Sequence, residues 1–293
     1  MFIATLIAKE SLNERDIQSA IVALDATRAN IVRQADIVDH RAVDIFFEGD
    51  PVAARASLEA IEGEIDVAVQ PEDNRVKKLL ISDMDSTMIT VECIDELADY
   101  AGIKSEIAKI TERAMQGELD FEEALRGRVA LLEGLDTGAI QQCLDERVKI
   151  MPGAETLVRT MAKGGATTIL VSGGFTKFAK PVAQTIGFQS FHANVLGESG
   201  GVLSGALDGP IVDSARKDEL LQAAAQEQNI RLDQCIAVGD GANDIPMLQR
   251  AGLGVAYHAK PKAAAAADVA IRYNNLTALL YIQGIGVSQW VTD

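Results

Sequence analysis

The sequence predicts an α/β chain. A doubly wound parallel sheet carries a helical cap inserted after its first strand, and a small βαββαβ unit precedes it. Three observations carry this reading. Apolar, strand-like runs at 78–82, 167–171, 234–238, 253–256 and 269–272 alternate with helical stretches, the pattern of parallel strands joined by crossover helices. A long helical excursion, about residues 92 to 148, interrupts the alternation directly after the first run. Before residue 72 the apolar period switches repeatedly between that of a helix and that of a strand.

In chain order, Ile3, Leu6 and Ile7 lie in a first strand, and Ile17, Ile21 and Leu24 recur at helical spacing. A strand is expected at 31–38. Val43, Ile45 and Phe47 alternate, Ala54, Leu58 and Ile61 return to the helical period, and Ile65, Val67 and Val69 alternate again. The order βαββαβ is ferredoxin-like. It is similar to the order in small ligand-sensing ACT domains, although the first loop carries no glycine signature. The polar stretch Gln70-Pro71-Glu72-Asp73-Asn74 is expected to be a linker between domains at 1–72 and 76–293. In the cap, Ile94, Leu97, Ala98 and Ala101 mark one amphipathic helix, and Phe121, Leu125, Val129 and Leu132 another. Met151-Pro152-Gly153 marks the return to the core. Val195, Gly197, Val202 and Ser204 flank Glu198-Ser199-Gly200-Gly201 as a β-hairpin. The alanines of 263–267 favour a helix.

Composition narrows the function. A chain of 293 residues with 48% hydrophobic content can bury a sizeable core. No apolar run approaches the roughly 18 residues needed to span a bilayer, so a soluble protein is expected. Met1-Phe2-Ile3-Ala4 lacks a basic segment before its short apolar run and reads as a strand, not a signal peptide. Cys93, Cys143 and Cys235 form no CxxC pair, which argues against a zinc site or a disulfide framework and fits a reducing cytoplasm. The formal charge of −16 argues against nucleic-acid or anionic-membrane partners. An anionic substrate must then be captured by a few local cations. His40, His192 and His258 are scattered without ligand spacing. A homodimer is compatible with all of this.

The chemistry concentrates at strand ends. The run 78–82 opens into Asp83-Met84-Asp85-Ser86-Thr87, and in open α/β sheets ligands bind at that edge. Leu170-Val171-Ser172-Gly173-Gly174 and Val238-Gly239-Asp240-Gly241-Ala242-Asn243-Asp244 also follow apolar runs, and Lys217 lies between them. Gly173-Gly174 reads as a tight turn whose backbone N–H groups approach a ligand. Asp240 to Asp244 lacks the spaced acids and final Glu of a calcium loop. A receiver-type regulator would lack the cap.

These four elements, in this order, resemble the haloacid-dehalogenase (HAD) superfamily of phosphotransferases, with its Rossmann-like core. The resemblance implies Asp83 as nucleophile, forming an aspartyl-phosphate, and Asp85 as general acid and then base. It implies Mg²⁺ held by the Asp83 and Asp240 side chains and the Asp85 main-chain carbonyl, with Asp244 holding waters. Lys217, Ser172, the Gly173 amide and Asn243 would contact the phosphoryl group. To donate a proton near neutrality Asp85 needs a raised pKa.

The cap narrows the resemblance. Val91-Glu92-Cys93-Ile94-Asp95-Glu96-Leu97-Ala98, and the stretch from Ala114-Met115-Gln116-Gly117 through Phe121 to Arg128-Val129, look like the phosphoserine phosphatases. The substrate implied is O-phospho-L-serine, hydrolysed as the last step of serine biosynthesis; the alternative is another small phosphorylated metabolite. Arg128 lies seven residues after Phe121, about two helical turns, on the apolar face, where a guanidinium needs an anionic partner. By the resemblance that partner is the substrate carboxylate. Glu92 would pair with the ammonium, and Met115 and Phe121 would line the pocket. The competing reading makes the core a phosphate-binding relic and the N-terminal unit an amino-acid sensor. The two acids of 83–85, which mere binding does not require, argue against it.

Overall fold

The computed structural model of the chain describes residues 1–38, 40–115 and 118–292, with 114 and 115 in their backbone alone. Its first strands, β1 (Phe2–Ala8), β2 (Asn30–Val38), β3 (Ala42–Glu48) and β4 (Ile65–Pro71), form an antiparallel sheet in the order β2-β3-β1-β4. Helices α1 (Glu14–Ala26) and α2 (Pro51–Glu59) are started by Asn13 and Asp50, whose side chains accept the first free N–H groups. Both pack on one sheet face, against Leu6, Ile45, Phe47 and Val67. The ferredoxin-like order is thus present. The likeness to ACT domains rests on that order alone.

β5 (Leu79–Ser82) opens the larger part and is followed by α3 (Cys93–Tyr100), α4 (Lys104–Met115), α5 (Phe121–Ala130) and α6 (Gly138–Glu146). The chain continues through α7 (Ala154–Lys163), β6 (Thr167–Phe175), α8 (Thr176–Ile186), β7 (Ser190–Ser199) and β8 (Val202–Asp208). It ends with α9 (Ser214–Glu227), β9 (Cys235–Gly239), α10 (Ile245–Arg250), β10 (Leu253–Tyr257), α11 (Pro261–Ala266), β11 (Val269–Ile271) and α12 (Ala278–Ile282). The seven strands lie in the order β11-β10-β9-β5-β6-β7-β8, parallel except for the β7–β8 hairpin. Strand residues alternate between two cores. Leu79 and Ile81 meet α9 and α10, whereas Leu80 and Leu170 meet α7 and α8. The winding reverses between β5 and β9, the crevice where such sheets bind ligands.

Main-chain hydrogen bonds sew the inserted helices to the core at two seams. The strands leading in and out pair at Ile89 and Ile150, with Thr90 N–H on the Lys149 carbonyl (3.0 Å) and Met151 N–H on that of Met88 (2.9 Å). At the far side, Gly134 N–H donates to the Leu203 carbonyl (2.9 Å) and Leu203 N–H to that of Leu135 (2.9 Å). The hairpin turn that permits this uses Gly200 and Gly201 at φ 62° and 87°, left-handed values that glycine adopts without strain.

The second face of the N-terminal sheet is not solvated. Thr5, Asp44, Asp66 and Gln70 are buried there against the core. Asp66 accepts the N–H groups of Arg272 (2.7 Å), Tyr273 (3.2 Å) and Asn274 (2.9 Å), and the Asn274 amide (2.9 Å). Arg75 pairs with Asp44 at 2.7 Å. Arg75 and Gln70 both donate to the Ile282 carbonyl at the end of α12, at 2.8 and 2.7 Å. The stretch expected as a linker therefore begins inside β4. Gln70 is buried because a helix-end carbonyl satisfies its amide.

Replacing Asp66 strands several buried N–H donors at once, each costing about 1–3 kcal/mol. Asp66→Ala is expected to lower unfolding free energy by about 3–5 kcal/mol in urea titrations.

Candidate active site

The strand register places the acids. Asp83 N–H donates to the Val238 carbonyl (2.9 Å), so the ends of β5 and β9 run level and bring Asp83 beside Asp240. Just beyond, Ser86 turns the chain at φ 56°, and the N–H groups of Met88 and Ile89 converge on the Met84 carbonyl (2.8 and 3.0 Å). Beyond this knot the Asp85 carboxylate is held by two other elements. One Asp85 oxygen accepts from Cys93 N–H (3.1 Å), at the start of α3, and the other from Ser172 Oγ (3.3 Å), on β6.

Oxygens of Asp83, Asp240 and Asp244 all lie within 4.8 Å of one another, and all three residues are buried. Lys217, on α9, is inserted between two of them, its Nζ 2.6 Å from Asp83 and 2.7 Å from Asp244. The other Asp244 oxygen accepts the N–H groups of Asp240 (3.1 Å) and Gly241 (3.0 Å). A Cβ on Gly239 would collide with the Asp244 carboxyl group, which is why that strand ends in glycine.

One ammonium does not neutralise this many acids. Burial and the Asp244 charge push the Asp83 carboxyl well up, against the pull of Lys217. Burial opposes the charge on Lys217, but Asp244 and Asp83 more than compensate and hold it protonated. Asp85 is pushed up to about 6 by burial and by Glu92, opposed by its bond from Cys93. Burial also raises Asp240, opposed by Lys260. The excess negative charge, offered by oxygens alone, suits a hard divalent cation such as Mg²⁺. The Asp85 side chain stands outside this cluster.

Between the cluster and the inserted helices lies a cavity of about 420 Å³. Asp83, Asp85, Asp240 and Asn243 line it from the sheet side, Gly173 from β6, and Glu92, Phe121 and Arg128 from the helices. Glu92 accepts a hydrogen bond from Ser86 Oγ (2.8 Å). Arg128 is half-buried. Its Nε donates to the Ala124 carbonyl of its own helix (3.3 Å), and among the described residues no carboxylate lies within 4 Å of its guanidinium. Burial works against its charge while Asp95 and Glu92 favour it.

Some expectations are refined. Gly173 and Gly174 do not form a turn; β6 runs on through Phe175. Gly174 is needed because a Cβ there would lie 2.7 Å from Asp85 Oδ2. Ser172 is fully buried, donating to Asp85 and accepting from Gly174 N–H (2.8 Å), and Lys217 likewise stands behind the cavity wall. The Met115 side chain lies outside the described residues. Lys260, which the sequence reading passed over, lines the cavity with Nζ 3.5 Å from Asp240. It lies a short way beyond the apolar strand β10, but Pro261 directly after it gives it the look of an ordinary helix start.

The chain is similar to known proteins in sequence and in fold. The family described as haloacid dehalogenase-like hydrolase matches residues 77–252. A phosphoserine phosphatase of Streptomyces coelicolor is 41% identical over 240 residues, 81% of this chain and 58% of that longer relative. One from Albidiferax ferrireducens is 46% identical over 208 residues, covering 69% of this chain and 88% of its own. The solved structure of a probable phosphoserine phosphatase from Vibrio cholerae superposes with a TM-score of 0.78 at 31% identity, covering 98% of this chain and 88% of that one. Among the described residues no helix is long and apolar enough to cross a membrane.

The raised Asp85 carboxyl has a consequence for stability. Ionised Asp85 costs the folded state more than the unfolded one, so its contribution is lost as pH rises from about 4 through about 6. Asp85→Asn keeps the acceptor for Cys93 N–H without the charge. In metal-free protein its thermal midpoint is expected to match wild type near pH 4 and exceed it at pH 8, by at most about 3 kcal/mol of stability.

Proposed function

The chain belongs to the haloacid dehalogenase-like hydrolases, and we propose that it hydrolyses O-phospho-L-serine to L-serine and phosphate. The observation that carries the substrate is Arg128, a half-buried guanidinium without an ion-pair partner among the described residues, open to the same cavity as Asp83 and Asp85. A planar fork of donors suits a carboxylate, and Glu92 on the same side suits an ammonium. Similarity to phosphoserine phosphatases over most of the chain supports the same reading.

In the first step an Asp83 oxygen attacks phosphorus, forming the Asp83–phosphate bond as the bond to the serine oxygen breaks. Asp85, with its carboxyl raised to about 6, supplies the proton the departing alkoxide takes. Asp85, now ionised, accepts a proton from the water that attacks phosphorus, and the Asp83–phosphate bond breaks to release phosphate. The Ser172 hydroxyl and Cys93 N–H keep Asp85 oriented through both transfers. Lys217 fixes Asp83 and offsets part of its charge. The Gly173 amide and Asn243 would hold the phosphoryl oxygens. Asp83, Asp240 and Asp244, with the main chain at Asp85, would hold Mg²⁺, which when bound supplies the positive charge that lets a carboxylate approach a phosphate dianion. The reaction would complete serine biosynthesis in the cytoplasm, a setting that suits three buried free cysteines.

Two variants separate recognition from chemistry. Asp83→Asn is expected to stay folded and release no phosphate from any substrate; turnover by the folded variant removes Asp83 as nucleophile. Arg128→Ala is expected to lose about 2–5 kcal/mol in kcat/KM on phosphoserine, the range for removing one partner of a buried charge pair. Its activity on an aryl phosphate, which lacks carboxylate and ammonium, is expected to stay near wild type. Equal loss on both substrates would eliminate amino-acid recognition by Arg128.

A further inference from the structure

Lys260 differs from the other cations of the cavity. Lys217 is buried between the acids it serves, and Arg128 belongs to the inserted helices. The Lys260 side chain is 63% exposed, yet it lines the cavity. Its main chain is pinned. Lys260 N–H donates to the Asp240 carbonyl (2.9 Å), Pro261 opens α11 directly after it, and His258, two residues earlier, bonds Ile271 and Asn274. Only the flexible side chain is left to move, and its Nζ stands 3.5 Å from Asp240 Oδ2.

We propose that Lys260 is a two-position cation: it pairs with Asp240 while the acid cluster holds no metal, and turns into the cavity to meet an incoming phosphate once a divalent ion occupies Asp240. The first position is the one the structure holds, and it is weakly held. With Nζ 3.5 Å away and the lysine side chain well exposed, the pair contributes little, so leaving it costs little. The side chain is exposed and lines the cavity, so an ordinary lysine ammonium displaced from Asp240 still faces the cavity. The second position answers a problem set by the whole chain. With a net charge of −16 the general field repels a phosphomonoester, and a cation at the mouth is what steers one inward. The inference rests on reading the cavity as a phosphomonoester site.

Lys260→Met keeps the stem and removes the charge, and the two roles then predict opposite effects. Calorimetric titration with Mg²⁺ alone, without substrate, is expected to show binding about threefold tighter than wild type, because the competing ammonium is gone. On phosphoserine and on an aryl phosphate at low salt, kcat/KM is expected to fall about tenfold with kcat nearly unchanged, and the deficit to shrink as salt rises. Lys260→Arg should behave as wild type in both measurements. Unchanged or weaker Mg²⁺ binding by Lys260→Met would overturn the proposal, as would a loss confined to kcat or insensitive to salt. If wild type cleaved the aryl phosphate and not phosphoserine, the substrate assignment would fall, while the isotherms and the aryl-phosphate rates would still decide the role of Lys260.

Discussion

A single ammonium held among buried carboxylates is the interaction on which the rest of the structure depends. Lys217 can sit at 2.6 and 2.7 Å from Asp83 and Asp244 only because α9 delivers it from behind the sheet, and the acids can be buried only because it is there. The loop after β9 is wound around the remaining Asp244 oxygen, which consumes two backbone N–H groups. The parallel register of β5 and β9 then sets the distance between the two acidic loops. The electrostatic imbalance that remains is not a flaw of packing. It leaves a site with a standing demand for positive charge, which a hard cation answers.

Much of this was legible in the chain. Asp83, Asp85, Asp240 and Asp244 each follow an apolar run closely, and a strand end is a local feature that a one-dimensional pattern reports well. Arg128 was legible too, because a seven-residue step from Phe121 fixes its helix face without knowledge of the rest. What escaped was non-local. Gly173 and Gly174 looked like a turn, but the second glycine is required by an acid eighty-nine positions earlier in the chain, at Asp85. Ser172 was expected to face a ligand and instead serves Asp85. Lys260 before Pro261 reads as an ordinary helix start. Asp44 and Asp66 sit at the polar positions of alternating strands, where solvent is the default, and nothing nearby in sequence announces that a second layer covers them.

The inserted helices are placed by backbone hydrogen bonds as well as by the apolar side chains they bury against the core. One seam joins the strands at 88–90 and 149–151, and the other joins the segment after α5 to β8. Glu92 starts α3 a few residues beyond the first seam, and Arg128 lies near the end of α5, just before the second. The groups that would choose a substrate are thereby tied to the same sheet that carries the acids. Selection and chemistry share one frame, and Glu92 belongs to both, since its charge also raises the Asp85 carboxyl.

The buried face of the N-terminal sheet bears on how separable the two parts are. Units joined by a solvated tether can be exchanged between genes as ready-made parts, since neither surface is tailored to the other. Here the fit is reciprocal: Asp66 matches the amides of 272–274, and Arg75 with Gln70 the last carbonyls of α12. A core copied into another gene without its sheet would carry orphaned amides and a bare helix end, and the sheet copied alone would carry acids with no mate. Substitutions on either side of that seam are therefore felt across it, at the amides of 272–274 and at the end of α12.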